Sequence, residues 1–198
     1  MGDTLDRTTL AREIRKAAYL TGKFKLRSGQ TSSFYWDKYR FESQPHLLQP
    51  VSAELVRLLP AAGFDRLAGL ELGGIPLATA VSLAIGKPSL FVRKSAKDYG
   101  TCNLVEGGFE RGERVVVIED VITTAGQVVE SVGQMRELGL VIQDVLCVID
   151  RQQGGREKLT TIGCDLHSVF TLQELEQLAG RSLRDNQHGR PHHGTQSQ

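Results

Sequence analysis

The chain has 198 residues, 40% of them hydrophobic and 24% charged, an ordinary globular composition that excludes a disordered or fibrous protein. Its 24 Lys and Arg against 23 Asp and Glu leave a net charge of +1, so no global field recruits nucleic acid or an anionic membrane, and any anionic ligand must be caught by a local cluster. No apolar run could span a bilayer, the N-terminus lacks a signal-peptide core, and Cys102, Cys147 and Cys164 have no Cys-x-x-Cys spacing, which fits a reducing cytoplasm better than disulfides or a zinc site.

Leu10, Ile14, Ala17 and Ala18 recur at helical spacing and predict a first helix with Gly22 as its stop. In FKLRSGQTSSFYWD, two apolar-aromatic stretches around Ser28-Gly29 predict a hairpin or a strand with a tight turn. Pro45 opens a predicted helix to about Leu59, with Leu47, Leu48, Val51, Leu55, Val56 and Leu59 as its buried stripe. A strand-loop-helix rhythm follows. RLAGLEL leads through GGIP into PLATAVSLAIG, and PSLFVRK leads into a long polar loop from Lys94 to Gly112. RVVVIED runs through VITTAG into QVVESVGQMREL, and DVLCVID forms another strand. LHSVF adds a last strand before a helix around Leu172 to Leu178. Short β-branched runs separated by helices predict a parallel α/β sheet buried on both faces. Residues 1–181 read as a single domain, and the polar segment 182–198 reads as a disordered tail.

In open α/β sheets ligands bind beyond the carboxyl ends of the strands, and LELGGIP, RKSAKDYGT, EDVITTAGQ and DRQQGG all fall there. In EDVITTAGQ, a buried strand ends in Glu119 and Asp120 before a loop that opens a helix. Backbone N–H groups at that helix start, with the hydroxyls of Thr123 and Thr124, make a seat for a phosphate. The two carboxylates suit sugar hydroxyls, or a metal held through water. Taken alone, the same residues also fit a capping Asp120 and a polar turn.

This segment resembles the phosphoribosyl-pyrophosphate (PRPP) motif of type I phosphoribosyltransferases, through Glu119, Asp120, Val121, Thr123, Thr124 and Gly126. Ala125 stands where many relatives carry glycine. FVRKSAKDYGT resembles the catalytic loop of orotate phosphoribosyltransferases, with Arg93, Lys94, Lys97, Asp98 and Gly100 matching and Tyr99 in place of a common histidine. FKLRSGQTSSFYWDKYRF resembles the hood segment of the same family. There Phe24, Leu26, Ser28, Gly29, Ser32, Tyr35 and Asp37 fit, Arg27 fills a position usually lysine, Ser33 replaces a common proline and Trp36 a common aromatic. VIDRQQGG is similar to the segment whose arginine, here Arg151, binds the orotate carboxylate. GLELGGIPLAT matches the pyrophosphate loop, although some bacterial relatives have lysine where this chain has Gly73; that loss weakens pyrophosphate binding or shifts the load to Arg27 and Lys94.

The resemblance implies a type I phosphoribosyltransferase fold, a parallel-rich central sheet flanked by helices, with a small hood built from about residues 1–40 and the C-terminal segment. It implies transfer of ribose 5-phosphate from PRPP to orotate, giving orotidine 5′-phosphate and pyrophosphate in UMP biosynthesis. Lys97 and Asp120 are the implied catalytic residues. Arg27, Arg93, Lys94, Lys97, Glu119, Asp120, Val121, Ile122, Thr123, Thr124, Ala125, Gly126 and Gln127 are implied to bind PRPP, and Tyr35, Trp36, Thr123 and Arg151 to bind orotate. Mg²⁺ is implied as cofactor, held through PRPP and water rather than directly by side chains. A homodimer sharing its catalytic loop is the implied assembly, without nucleic acid or membrane. A purine phosphoribosyltransferase and a PRPP-sensing regulatory protein are the rivals on the same fold. Thr123, where purine enzymes typically carry an acid, and the near-zero charge weigh against them. His188, His192 and His193 in the tail read as solvated, Cys147 as a core hydrophobe, and EGGFERG lacks the setting of a dinucleotide fingerprint.

Overall fold

The computed structural model describes residues 5–25, 29–94 and 104–180. Helix α1 (Arg7–Ala18) is capped by Asp6, whose carboxylate accepts the N–H groups of Thr8 and Thr9 at 3.0 Å each. It ends at Ala18, four residues before the expected stop at Gly22. Tyr19 turns extended there and starts β1 (Tyr19–Lys25), because its ring stacks on Phe34 at 5.5 Å and meets Trp36 edge-on at 5.8 Å. These cross-strand aromatic contacts with β2 (Thr31–Trp36) outweigh any helix continuation, and Gly22 sits within β1 where the pairing register shifts between Thr21 and Phe24. The expected hairpin is therefore present, antiparallel and separate from the main sheet. A short α2 (Tyr39–Glu42) and then α3 (Pro45–Arg57) follow, the latter with Pro45 in its first turn.

The remaining elements alternate: β3 (Arg66–Leu70), α4 (Glu71–Ile85), β4 (Ser89–Val92), β5 (Val105–Glu106), β6 (Arg114–Ile122), α5 (Gly126–Glu137), β7 (Val141–Asp150), α6 (Gly155–Thr161), β8 (Asp165–Thr171) and α7 (Leu172–Leu178). They form a six-stranded sheet in the order β5-β4-β3-β6-β7-β8, parallel throughout except for β5 on β4. Two expectations need correction. GGIP is not a loop but part of α4, and the stretch from Lys94 to Gly112 contains the β5 edge strand. α6 was not foreseen.

The sheet is buried on both faces, as its β-branched strands require. Along β6, Val116 and Ile118 join the core under α1, α3 and α4 with Leu10, Leu55 and Leu77, while Val115 and Val117 face the core under α5 and α6 with Val132 and Leu159. Cys147 is fully buried in the second core. The chain leaves β3 toward β4 on one side and returns to β6 on the other, so the sheet's switch point lies between β3 and β6. There α4 packs tightly on the sheet backbone: a Cβ on Gly74 would fall 2.3 Å from the carbonyl oxygen of Ile118. Among the described residues no helix is long and apolar enough to cross a membrane.

Candidate active site

Strand β6 runs on through Val121 and Ile122, so the loop expected at VITTAG is reduced to Thr123, Thr124 and Ala125. Ile122 is buried in the core, and its carbonyl accepts the N–H of Arg151 at 2.8 Å. Ala125 takes φ +55°, a left-handed conformation that a non-glycine residue adopts at a cost of ~1–2 kcal/mol. No side chain caps α5, which leaves the N–H groups at its start directed at the Thr123–Thr124 turn. The turn is braced from behind by α6: a Cβ on Gly155 would meet Ile122 Cγ2 at 2.6 Å and the carbonyl oxygen of Thr123 at 2.8 Å.

The two acids before this turn differ in environment. Asp120 is fully buried, and Nζ of Lys38 lies 2.6 Å from its Oδ2 and 2.8 Å from its Oδ1. Its carboxylate fills the space beside Gly73, where a Cβ would fall 1.7 Å from Oδ2. Glu119 is partly exposed and folds back to accept the N–H of Asp120 at 3.0 Å. The carboxyl end of Glu119 is nonetheless enclosed by protein, and this desolvation, with Asp120 next to it, pushes it well above its ordinary range. A third acid, Glu42 of α2, is buried beside them. Burial first and the charge of Asp120 second push it up to about 9. Burial works against the charge of Lys38, but Asp120 and then Glu119 outweigh it and raise the ammonium above its usual value. Neither carboxylate oxygen of Glu42 meets a donor among the described residues, as expected of an acid that carries its own proton.

A cavity of about 250 Å³ opens beside this cluster. Its polar lining is Lys38, Thr123 and Arg151, and its flat walls are Tyr35 and Trp36 at the end of β2. Val121, Ile149 and Leu172 close the apolar side. Two basic side chains and two aromatic rings lining a space this size suit a small planar anion. A wider hollow of about 600 Å³ lies at the start of α4, lined by Glu71, Leu72, Arg93, Lys94 and Glu106 among others. Glu71 holds φ +52°, and its carboxylate accepts the N–H of Lys94. Arg93 lies 3.8 Å from Glu106.

The expected base-binding residues Tyr35, Trp36, Thr123 and Arg151 thus share one cavity. Glu119 and Asp120 lie beside it, and Thr124, Ala125, Gly126 and Gln127 form the turn and first residues of α5. Arg93 and Lys94 line the second hollow. Arg27, Lys97 and Tyr99 lie outside the described residues. Sequence reasoning assigned no role to Lys38 or Glu42, although both stand within or next to the hood segment; their partner Asp120 is too far along the chain for any local pattern to reveal it.

No protein-family model matches the chain. A curated orotate phosphoribosyltransferase of Nocardioides sp. is 50% identical over 173 residues, covering 87% of this chain and 96% of that protein. A crystal structure of Mycobacterium tuberculosis orotate phosphoribosyltransferase in complex with Fe(III) dicitrate superposes with a TM-score of 0.77 at 32% identity, covering 86% of this chain and 99% of that one. A second structure of the mycobacterial enzyme, in complex with 5-phospho-α-D-ribosyl 1-diphosphate, gives a TM-score of 0.74 at 28% identity, with 86% and 99% covered. With the strand-end motifs and the cation-lined cavity already in place, identity at this level over nearly the whole of both chains decides the matter: the chain belongs to the orotate phosphoribosyltransferase family.

Proposed function

We propose that this chain transfers ribose 5-phosphate from PRPP to orotate, releasing pyrophosphate and forming orotidine 5′-phosphate. The observation that carries the reading is the cavity lined together by Arg151, Lys38, Tyr35 and Trp36 at the end of the PRPP-motif strand. In the reaction the anomeric C–O bond to pyrophosphate breaks, the bond from a ring nitrogen to the anomeric carbon forms, and the proton on that nitrogen is released. The anomeric carbon passes through a cationic state, so the protein's contribution is chiefly electrostatic.

Arg151 takes the orotate carboxylate in its planar fork and thereby presents the ring nitrogen to the anomeric carbon. Thr123, Thr124 and the N–H groups of Ala125, Gly126 and Gln127 seat the 5′-phosphate at the start of α5, and Glu119 and Asp120 face the ribose. Arg93, Lys94 and Arg27 hold the diphosphate, and Lys97 neutralises it as it departs. Gly73 contributes no cation to that end, and the placement of Arg93 and Lys94 at the start of α4 supports their bearing the load.

Among the described residues no three acids, histidines or cysteines are grouped to hold a metal ion, and the carboxylate of Asp120 is already engaged by Lys38. These side chains fit Mg²⁺ that arrives on PRPP and reaches the protein through water. So bound, Mg²⁺ offsets the charge of the diphosphate.

A homodimer is the proposed assembly, with Lys97 reaching the partner's site and residues 1–181 as the catalytic unit in a reducing cytoplasm. Leu72 and Leu83, 67% and 82% exposed on α4, support a covered face there. Conversion of orotate to its nucleotide, followed by ultraviolet absorbance on mixing with PRPP and Mg²⁺, tests the reading.

A further inference from the structure

Lys38 occupies two places at once. Its side chain lines the base cavity, and its ammonium lies 2.6 Å from Oδ2 and 2.8 Å from Oδ1 of Asp120. Asp120 is closely surrounded: it is fully buried, its Oδ1 also accepts the N–H of Val121, and its Oδ2 occupies the niche that a side chain at position 73 would fill. We propose that Lys38 is a positioning residue for Asp120, holding the ribose-side carboxylate in the niche left by Gly73 and joining it to the base cavity.

The groups around Asp120 make such a residue necessary. Glu42 of α2 and Glu119 of β6 are its acidic neighbours. Asp37 and Tyr39, on either side of Lys38, complete the charged and titratable surroundings, with the Tyr39 ring centroid 5.5 Å from Nζ. From α4, Gly73 lies directly against the Asp120 carboxylate. Lys38 is thus the cation that faces three clustered carboxyls. Clustered carboxyls titrate as a unit, and removing their cation makes the unit hold a further proton near neutral pH. The negative charge that meets the cationic ribose is then lost, and so is the clamp that fixes where it sits.

This inference rests on the reading of the site as that of an orotate phosphoribosyltransferase, and the experiment separates the two. Wild-type enzyme, Lys38→Met, Lys38→Arg, Gly73→Ala and Lys38→Met/Gly73→Ala are assayed with orotate, PRPP and Mg²⁺ between about pH 6 and 9, with folding checked by circular dichroism. Inactive, folded wild type with orotate overturns the reading of the site itself. With active wild type, Lys38→Met is expected to lower kcat at pH 7 on the order of 100-fold, to regain part of it as pH rises, and to be partly rescued in Lys38→Arg. Gly73→Ala displaces the same carboxylate from the other side without touching Lys38. It is expected to lower kcat as well, and the double variant is expected to be no worse than the poorer single one, because both changes act through Asp120.

Three outcomes overturn the inference. One is a change confined to the KM for orotate with kcat and pH profile as in wild type, which makes Lys38 a base contact only. Another is a Gly73→Ala enzyme with wild-type kcat, which decides the matter even where Lys38→Met does not fold. The third is strict additivity of the two changes.

Discussion

Oδ1 of Asp150 accepts the backbone N–H of Gln152 at 2.8 Å, and the residue between them is Arg151. Asp150 is buried at the end of β7, its other oxygen lies 3.4 Å from Arg156, and Gln152 takes φ +55°. The turn that aims Arg151 at the base cavity is therefore held by a carboxylate that never enters the cavity.

Arg151→Ala is expected to weaken orotate about 10- to 100-fold, the loss of a charge-assisted contact. Asp150→Ala is expected to weaken it less, through the turn, and both variants are expected to leave PRPP within about threefold. Titration calorimetry with each ligand checks this. Equal losses for the two ligands place Arg151 with the diphosphate instead.

Gly155→Ala addresses the phosphate seat. Its Cβ would press on Ile122 and on the carbonyl of Thr123, so the Thr123–Thr124 turn must shift. We expect a loss of ~1–3 kcal/mol in stability and weaker PRPP binding with orotate affinity less affected. Urea denaturation and PRPP titration measure the two effects.

The buried acid Glu42 makes a prediction about pH. Its carboxyl is raised from 4.5 in the unfolded chain to about 9 in the folded protein. Within that window the folded protein holds a proton that the unfolded chain has released, so the Glu42 contribution to stability falls as pH rises from about 4.5 toward 9. Glu42→Gln removes this dependence. The variant is expected to gain ~1–3 kcal/mol over wild type near pH 8 and much less near pH 5. A gain of the same size at both pH values contradicts the assignment.

Much of the sheet was legible because its strands are β-branched runs, as at RVVVIED. The end of α1 was not, because Tyr19 leaves the helix for ring contacts with Phe34 and Trp36 on another strand, and helical periodicity carries no record of them. α6 went unseen because GREKLTT offers one buried large side chain, Leu159, too little for an amphipathic signal. Arg151, Thr123, Tyr35 and Trp36 could be named in advance since motifs carry them. The burial of Asp120 could not, since it depends on the absent side chain of Gly73 and on Lys38, two partners distant in sequence.

Subunit sharing of the catalytic loop is tested by mixing two inactive variants, Lys97→Ala and Asp120→Ala. With random exchange about half the dimers are hybrids. If Lys97 acts in the partner's site, one site of each hybrid collects both defects and the other none, so activity returns on mixing. Continued inactivity, with hybrids demonstrated by native mass spectrometry, means that Lys97 serves its own subunit.

The most direct test of the whole account is a competition among bases. Orotate, uracil, hypoxanthine and adenine are supplied together in equal amounts with PRPP and Mg²⁺, and the nucleotides formed are separated and quantified as pyrophosphate is released. The account predicts orotidine 5′-phosphate as the dominant product, with uracil excluded because it lacks the carboxylate that Arg151 holds. A purine nucleotide as the main product, or uridine 5′-phosphate formed as readily as the orotate product, would contradict it.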